Sequence, residues 1–208
     1  LKQFDFPDSL KEIGGYAFEG SGLRSIDIGA VESIARYAFF GTQYLTDVKI
    51  VGSDTVSLDA SVFGTYTSYD SAAPIRSFEL QNGSIEAFYT SVAKTTLETL
   101  VLGDGVKSVP NGLCNGFEKL STVELGDGVK TIGSNAFSGT AISSISVPDS
   151  VQSIGASAFS SCKKLEAVEF GAGSELTSIG GSAFFSCPIK SIALPSKVSS
   201  IGSQAFFI

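Results

Sequence analysis

The sequence has no histidine and no methionine, and only three of its 208 residues are cysteines. Without histidine the chain lacks the usual general base, the Ser-His and Cys-His pairs of nucleophilic catalysis and the commonest zinc ligand. Three cysteines are too few for a disulfide scaffold. We therefore expect no catalytic residue, no metal site and no cofactor, and we assign any enzyme activity to a domain outside this chain.

Long apolar runs and basic character are missing as well. No stretch approaches the roughly 18 apolar residues of a membrane helix, and the opening LKQFDFPDSL has no secretory signal pattern. The net charge of -7 at pH 7 disfavours nucleic acid and anionic membrane surfaces as partners. Because no initiating methionine is present, we expect a piece of a longer protein.

The dominant feature is a repeated motif with the pattern apolar-x-x-apolar-x-apolar. Its nine copies are LKQFDF at 1–6, LRSIDI at 23–28, LTDVKI at 45–50, IRSFEL at 75–80, LETLVL at 97–102, LSTVEL at 120–125, ISSISV at 142–147, LEAVEF at 165–170 and IKSIAL at 189–194. Positions four and six alternate inward as in a strand, and repeats of this length stack into solenoids. The pattern predicts one solenoid domain over 1–208, with about nine coils of 22–24 residues and a parallel sheet on the concave side.

A second motif follows each strand motif. Clear copies are IGGYAF at 13–18, IARYAF at 34–39, IGSNAF at 132–137, IGASAF at 154–159, IGGSAF at 179–184 and IGSQAF at 201–206, and degenerate copies are LDASVF at 58–63 and VPNGLC at 109–114. The Ile-to-Ala/Phe spacing predicts short helical or 3₁₀ turns on the convex side, with Ile, Ala and Phe inside. The turns PDS at 7–9 and 148–150 and GDG at 103–105 and 126–128 carry turn-forming residues. Residues 81–96 have no clear register.

The combined unit L-x-x-I-x-L-(turn)-V-x-x-I-G-x-x-A-F-x-x-C resembles the BspA-like leucine-rich repeat of bacterial cell-surface proteins. The resemblance covers essentially the whole chain, apart from about eight extra residues between 50 and 80 and degenerate copies around Phe88 and Cys114. It implies a surface-exposed or secreted protein used in adhesion or host contact, with a host-derived partner as one option.

Outward positions two, three and five of the strand motifs make the concave face the best candidate binding surface. Five of the nine residues at position five are acidic. The candidate ligand-binding residues there are Arg24, Asp27, Asp47, Lys49, Arg76 and Glu79. Almost no aromatic residue lies at these positions, which favours a protein or peptide over a glycan. The alternative is an ordinary solvated face with ion pairs such as Arg24 beside Asp27.

The insertion at 64–74 adds Tyr66 and Tyr69 as candidate binding residues, because loops that leave a repeating scaffold are common functional sites. A neutral insertion is the alternative. Asp104, Asp127 and Asp149 share one turn slot, where structural capping is favoured over Ca²⁺ binding. Cys162 and Cys187 share a slot in adjacent coils and could form a disulfide, although buried free thiols are favoured.

Two functional hypotheses follow. The first is a cell-surface or secreted module that binds a protein or peptide, without nucleic acid and without membrane insertion. The second is a structural spacer that presents another domain of a larger surface protein. Neither end shows a polar cap, so end-to-end self-association is a further expectation.

Overall fold

The computed structural model describes residues 1–59, 61–64, 73–86 and 91–208, with the side chains of 91–93 excepted. It is a parallel-strand solenoid of about eight turns. The leucine-rich-repeat solenoid predicted from the repeats is therefore confirmed, and the number of turns is close to the nine expected. The described part of the chain contains no helix long and apolar enough to cross a bilayer.

The strand motifs form the major sheet. Numbered in chain order with all other strands, its members are β2 (Ser25–Ile28), β4 (Asp47–Ile50), β6 (Ser77–Ile85), β7 (Thr99–Val106), β9 (Thr122–Leu125), β11 (Ser144–Val147) and β13 (Ala167–Phe170). Within β2, β4, β6, β7 and β9, and again within β11 and β13, neighbours pair in parallel. In β2 and β4 burial alternates strictly, because successive side chains of a strand point to opposite faces.

The Ile-Gly motifs begin with two-residue strands, which pair in parallel in three separate groups and are together called the minor ladder. Its members are β1 (Glu12–Ile13), β3 (Ser33–Ile34), β5 (Ser57–Leu58), β8 (Ser108–Val109), β10 (Thr131–Ile132), β12 (Ser153–Ile154), β14 (Ser178–Ile179) and β15 (Ser200–Ile201). The apolar residue of each strand is buried from Ile13 to Ile179, whereas Ile201 is exposed. The core thus lies between the major sheet and the minor ladder.

The convex segments differ from the prediction in that they are hydrogen-bonded turns rather than helical or 3₁₀ turns. The amide N–H of Phe137 donates to the Ala158 carbonyl at 2.8 Å, and that of Phe159 donates to Ala183 at 2.8 Å. These amides bond to the next coil, so they cannot close the bonds of a helix. One six-residue helix, α1 (Ser91–Thr96), lies within the described residues.

The phenylalanines of the second motif point inward as predicted, and in addition they stack from coil to coil. Phe159 stacks on Phe137 with ring centroids 5.5 Å apart, and on Phe184 at 5.2 Å. Cys114 occupies the Phe slot of its coil and is fully buried, which confirms it as a core residue. Dispersion between these closely packed rings contributes to the stacking of adjacent coils.

Three segments depart from the repeat prediction. Residues 1–6 and 189–194 are not strands, and each has a neighbouring coil of this chain on one side only. The strand β6 runs on to Ile85, where Ser84 and Ile85 pair with Ser57 and Leu58. Ile85 therefore fills the minor-ladder slot that the sequence leaves without a register, since the Ile-Gly pair is missing there.

The GDG segments also behave differently from one another. Residues 103–105 continue strand β7, because Gly105 pairs with Asn82 after a register shift, whereas 127–128 form the expected turn. A Cβ atom on Gly128 would lie 1.7 Å from the Asp104 carbonyl oxygen. Glycine is required there by the close approach of two coils.

Candidate functional site

The outer face of the major sheet brings four predicted residues together. Strand register places Asp27 opposite Lys49 and Lys49 opposite Glu79. Asp47 lies two residues before Lys49 on the same strand, where it pairs with Ser25 and Ser77. These residues line a shallow cleft of about 300 Å³ that spans the three strands. The cleft is the candidate site on this face.

Lys49 is the positively charged residue in the middle of the cleft, between two carboxylates. Its Nζ atom lies 4.0 Å from Asp27 Oδ2 and 3.9 Å from Glu79 Oε1. The side chain of Asp27 is 71% exposed and that of Glu79 28%. Ion pairs this long and this exposed contribute little stability, which leaves the three groups free to exchange partners with a ligand.

Two further hydrogen bonds hold the carboxylates of the cleft. Thr46 Oγ1 donates to Asp47 Oδ2 at 2.7 Å, and Gln81 Nε2 donates to Glu79 Oε1 at 2.7 Å. Each carboxylate keeps lone pairs that remain available to a donor from outside.

The two arginines predicted for the site lie at its margin. The Arg24 guanidinium carbon is 5.9 Å from the centre of the Tyr44 ring, a cation–π contact. The ion pair of Asp27 is with Lys49, not with Arg24 as the solvated-face alternative suggested. Arg76 is exposed. Neither arginine lines the cleft, since each sits at position two of its strand motif.

The predicted Tyr66 and Tyr69 lie outside the described residues. Of the insertion at 64–74, Gly64, Ala73 and Pro74 are described, and Ala73 is buried. A role for the two tyrosines remains a prediction.

Sequence reasoning missed a second surface, which we call the aromatic corner: Tyr16, Tyr37 and Phe40. The centroids of Tyr16 and Tyr37 are 5.3 Å apart and their planes are 34° apart. The Phe40 ring is steeply inclined to both, at 75° to Tyr16 and 78° to Tyr37. Tyr16 is 52% exposed, and Tyr37 and Phe40 are partly exposed.

Both tyrosines have left-handed backbones, with φ of 61° at Tyr16 and 62° at Tyr37. The same slot in other coils has positive φ and holds Gly112, Asn135, Ser157, Ser182 and Gln204. A bulky side chain in this region is a conformational outlier, at a cost of about 1 kcal/mol or more per residue. The sequence does contain a signal for the aromatic corner: the fourth residue of the I-G-x-x-A-F motif is tyrosine only in the first two copies.

A charged pair flanks the aromatic corner. Arg36 Nη2 lies 2.9 Å from Asp59 Oδ2 across adjacent coils. The Ser61 hydroxyl and amide also bond to Asp59, and together with Arg36 they hold the pKa of this carboxyl below its ordinary value. Asp59 is thus ionised and oriented beside Tyr37, whose amide N–H donates to the Ser61 carbonyl at 3.1 Å.

All three cysteines are free and buried, as favoured from the sequence. The Cys162 thiol donates to the Phe137 carbonyl at 3.1 Å, and Cys187 to the Phe159 carbonyl at 3.0 Å. Once the Cys162 thiol ionises, the neighbouring Cys187 thiol can turn its proton to the Cys162 sulfur, and this hydrogen bond lowers the pKa of Cys162 to about 7 despite burial. The same bond and burial raise the pKa of Cys187, and burial alone raises that of Cys114.

The turn aspartates act as caps between coils. Asp104 Oδ1 accepts a hydrogen bond from the Asp127 amide at 2.8 Å. This contact supports the structural interpretation over a Ca²⁺ site. Within the ranges that the structure describes, no three His, Cys, Asp or Glu side chains are grouped as metal ligands.

The fold resembles several solved bacterial structures. A leucine-rich repeat protein from Bacteroides ovatus superposes with a TM-score of 0.60 and 23% identity, over 92% of this chain and 49% of the other. A leucine-rich repeat protein from Eubacterium ventriosum superposes with a TM-score of 0.51 and 16% identity, over 99% of this chain and 64% of the other. A leucine rich cell surface protein from Faecalibacterium prausnitzii superposes with a TM-score of 0.49 and 21% identity, over 94% of this chain and 65% of the other. The chain thus spans between about half and two thirds of these proteins.

Sequence comparison gives the family directly. Among curated proteins, none matches this chain. The family model described as the BspA type leucine rich repeat region matches residues 1–95 and 84–207, with six copies. Leucine-rich repeats of this kind are typically non-enzymatic scaffolds, and such domains generally mediate protein interactions. The chain belongs to the BspA-type leucine-rich-repeat family.

Proposed function

We propose that this chain is a cell-surface or secreted interaction module that binds a protein or peptide through the outer face of the major sheet. The observation that carries the proposal is the cleft in which Asp27, Lys49 and Glu79 lie in register on three adjacent strands. The family supports a bacterial surface protein and a scaffold role.

The chemistry of the cleft suits a polypeptide ligand. Lys49 offers a donor between two carboxylates, and Asp47 adds a third carboxylate that accepts a hydrogen bond from Thr46. A peptide backbone and its polar side chains supply both donors and acceptors for such a row. Arg24 and Arg76 at the margin would add contacts to acidic groups of the partner, and they would raise the rate of association through electrostatic steering.

The test uses an immobilised library of synthetic peptides, probed with the labelled wild-type chain. Peptides that bind are then measured against a variant with Arg24→Glu, Asp27→Lys, Arg76→Glu and Glu79→Lys, which keeps the net charge. The matched control reverses the Lys197–Glu175 pair, which is also charge-neutral and joined at 2.6 Å. We expect affinity to fall at least about tenfold in the first variant and to stay within about twofold in the control.

Equal binding by all three proteins, or no peptide bound by any of them, contradicts the proposal. Equal binding would place the peptide on another surface, whereas the absence of any bound peptide favours the alternative, a spacer that presents another domain of a larger surface protein. End-to-end self-association stays a separate prediction, which sedimentation velocity of this chain over a range of concentrations tests.

A further inference from the structure

The aromatic corner and the Arg36–Asp59 pair form a surface that the proposed peptide site does not use. We propose that this surface binds a neutral polysaccharide, with sugar rings packed on Tyr16 and Tyr37 and sugar hydroxyls bonded to Arg36, which Asp59 holds in place. It is carried by turns of the second motif, whereas the peptide site lies on the strands of the major sheet. Each of the two proposals can therefore be tested, and can be wrong, independently of the other.

The slot that the two tyrosines fill does not require an aromatic ring for the coil to fold. The slot that they fill takes glycine, asparagine, serine or glutamine in other coils, with φ between 55° and 67°. Small or amide side chains tolerate a left-handed backbone better than an aromatic ring does. Neither tyrosine belongs to the buried core of the described residues or packs against it, so burial in the core does not offset this strain. Strain held without a gain in the core is typical of functional positions.

The size of the aromatic corner argues against a protein partner or a second copy of this chain. A tyrosine or phenylalanine side chain buries about 150–250 Å² when fully covered. Tyr37 and Phe40 are already partly buried, so the three rings offer less than the ~800 Å² per partner of a stable protein interface. A small ligand that makes a few strong contacts fits this area better.

The chemistry of the surface suits a sugar. The face of an aromatic ring is electron-rich and attracts the weakly positive C–H groups that line one face of a pyranose. Beside the rings, the Arg36 guanidinium keeps N–H donors that its pair with Asp59 does not use, and the tyrosine hydroxyls can donate and accept, which matches the hydroxyls of a sugar. Because Arg36 is neutralised by Asp59 and the chain carries a net charge of -7, a polyanion is disfavoured.

The experiment is affinity gel electrophoresis of this chain in gels that contain a soluble β-glucan, a mannan, an arabinoxylan or starch, with heparin as the polyanionic arm. The test variant carries Tyr16→Ser and Tyr37→Ser, and serine already fills the equivalent slot at Ser157 and Ser182. The control is Tyr44→Ser, which removes a tyrosine that is 57% exposed but lies outside the corner. The melting temperature of the double variant should equal or exceed that of the wild type, which shows that it folds.

We expect retardation by at least one neutral polysaccharide, weakened at least about tenfold in the double variant and within about twofold of wild type in the control. The charge-reversal variant of the sheet face should bind the polysaccharide as the wild type does, which separates this site from the peptide site. Retardation by heparin alone, no retardation in any gel, or equal retardation of the double variant and the wild type overturns the proposal.

Discussion

Phe159 stacks on Phe184 with ring planes only 2° apart and centroids 5.2 Å apart. The same ring also stacks on Phe137 in the preceding coil. Each phenylalanine of the column is therefore shared by two interfaces, so the stability of one coil depends on its neighbours.

Replacing Phe159 with alanine should be among the most damaging single changes. The side chain is fully buried, and truncation leaves a cavity between two stacked rings. We expect the free energy of unfolding to fall by about 3–5 kcal/mol, measured by urea denaturation. Tyr44→Ala is the control, because that ring is 57% exposed and should change stability by less than about 1 kcal/mol. A loss of similar size in both variants would contradict a column of shared rings.

The close approach of coils at Gly128 gives a second prediction. An alanine Cβ there would overlap the Asp104 carbonyl oxygen, so Gly128→Ala should destabilise the chain by about 1–3 kcal/mol through forced backbone shifts. A Cβ on Gly14 meets no atom within 4 Å, so Gly14→Ala should be neutral or mildly stabilising. Melting curves of the two variants measure the difference. Equal melting temperatures would show that the two coils are not in close contact at Gly128.

The contact between Cys162 and Cys187 predicts that the free energy of unfolding depends on pH. With the pKa of Cys162 lowered from 9.0 to about 7, the folded chain loses one proton between these values while the unfolded chain keeps it. This thiol therefore adds stability as the pH rises from 7 to 9, and the added stability is lost as the pH falls through 7. Above pH 9 the raised pKa values of Cys187 and Cys114 reverse the slope, because the unfolded thiols then ionise first.

Thiolate absorbance at about 240 nm during a pH titration of the folded chain measures the ionisation directly. We expect one thiolate to appear near pH 7, and we expect Cys187→Ala to move that step upward because the hydrogen bond to the thiolate is gone. A titration that is identical in the two proteins would mean that the thiols do not interact. Cys114→Ala, which removes an isolated buried thiol, should leave the step near pH 7 in place.

Replacing Lys49 should change the charge of the outer face but should lower the free energy of unfolding only slightly. Its two ion pairs are long and exposed, so Lys49→Met should cost less than about 1 kcal/mol in low salt. The cost should vanish in about 1 M NaCl, where the Debye length is only about 3 Å. Urea unfolding at both salt concentrations checks this. A large loss that persists in high salt would identify the Lys49 stem as a packing element, not as part of an exposed ion network.

The sequence predicted the solenoid because the buried residues recur once per coil and the strand motif alternates inside and outside. Ile26 and Ile28 are buried as the motif requires, and Asp27 between them is exposed. Strand order and parallel register follow from the same repeat, since consecutive copies lie side by side. The spacing of the strand motifs was therefore enough to predict that Asp27, Lys49 and Glu79 share one face of the sheet.

The sequence failed where a local pattern was ambiguous or absent. The Ile-to-Phe spacing suits a helical turn, yet the Phe137 and Phe159 amides bond to neighbouring coils, and a single sequence does not show such bonds. Ile85 was missed because no glycine follows it. The aromatic corner was missed because outward positions were considered only on the strand motif, while Tyr16 and Tyr37 lie on turns.

The stacking of coils is tested most directly by distances between spin labels on the outer face. With the native cysteines replaced, labels at Asp27 and Glu124 are four strands apart, and labels at Asp27 and Glu169 are six strands apart, counting the step between β9 and β11, which are in contact. At the strand spacing of a sheet, the backbone separations should be about 19 Å and about 29 Å. Double electron–electron resonance that returns this increase with coil number supports the account. A distance from Asp27 to Glu169 no longer than that to Glu124 would contradict it.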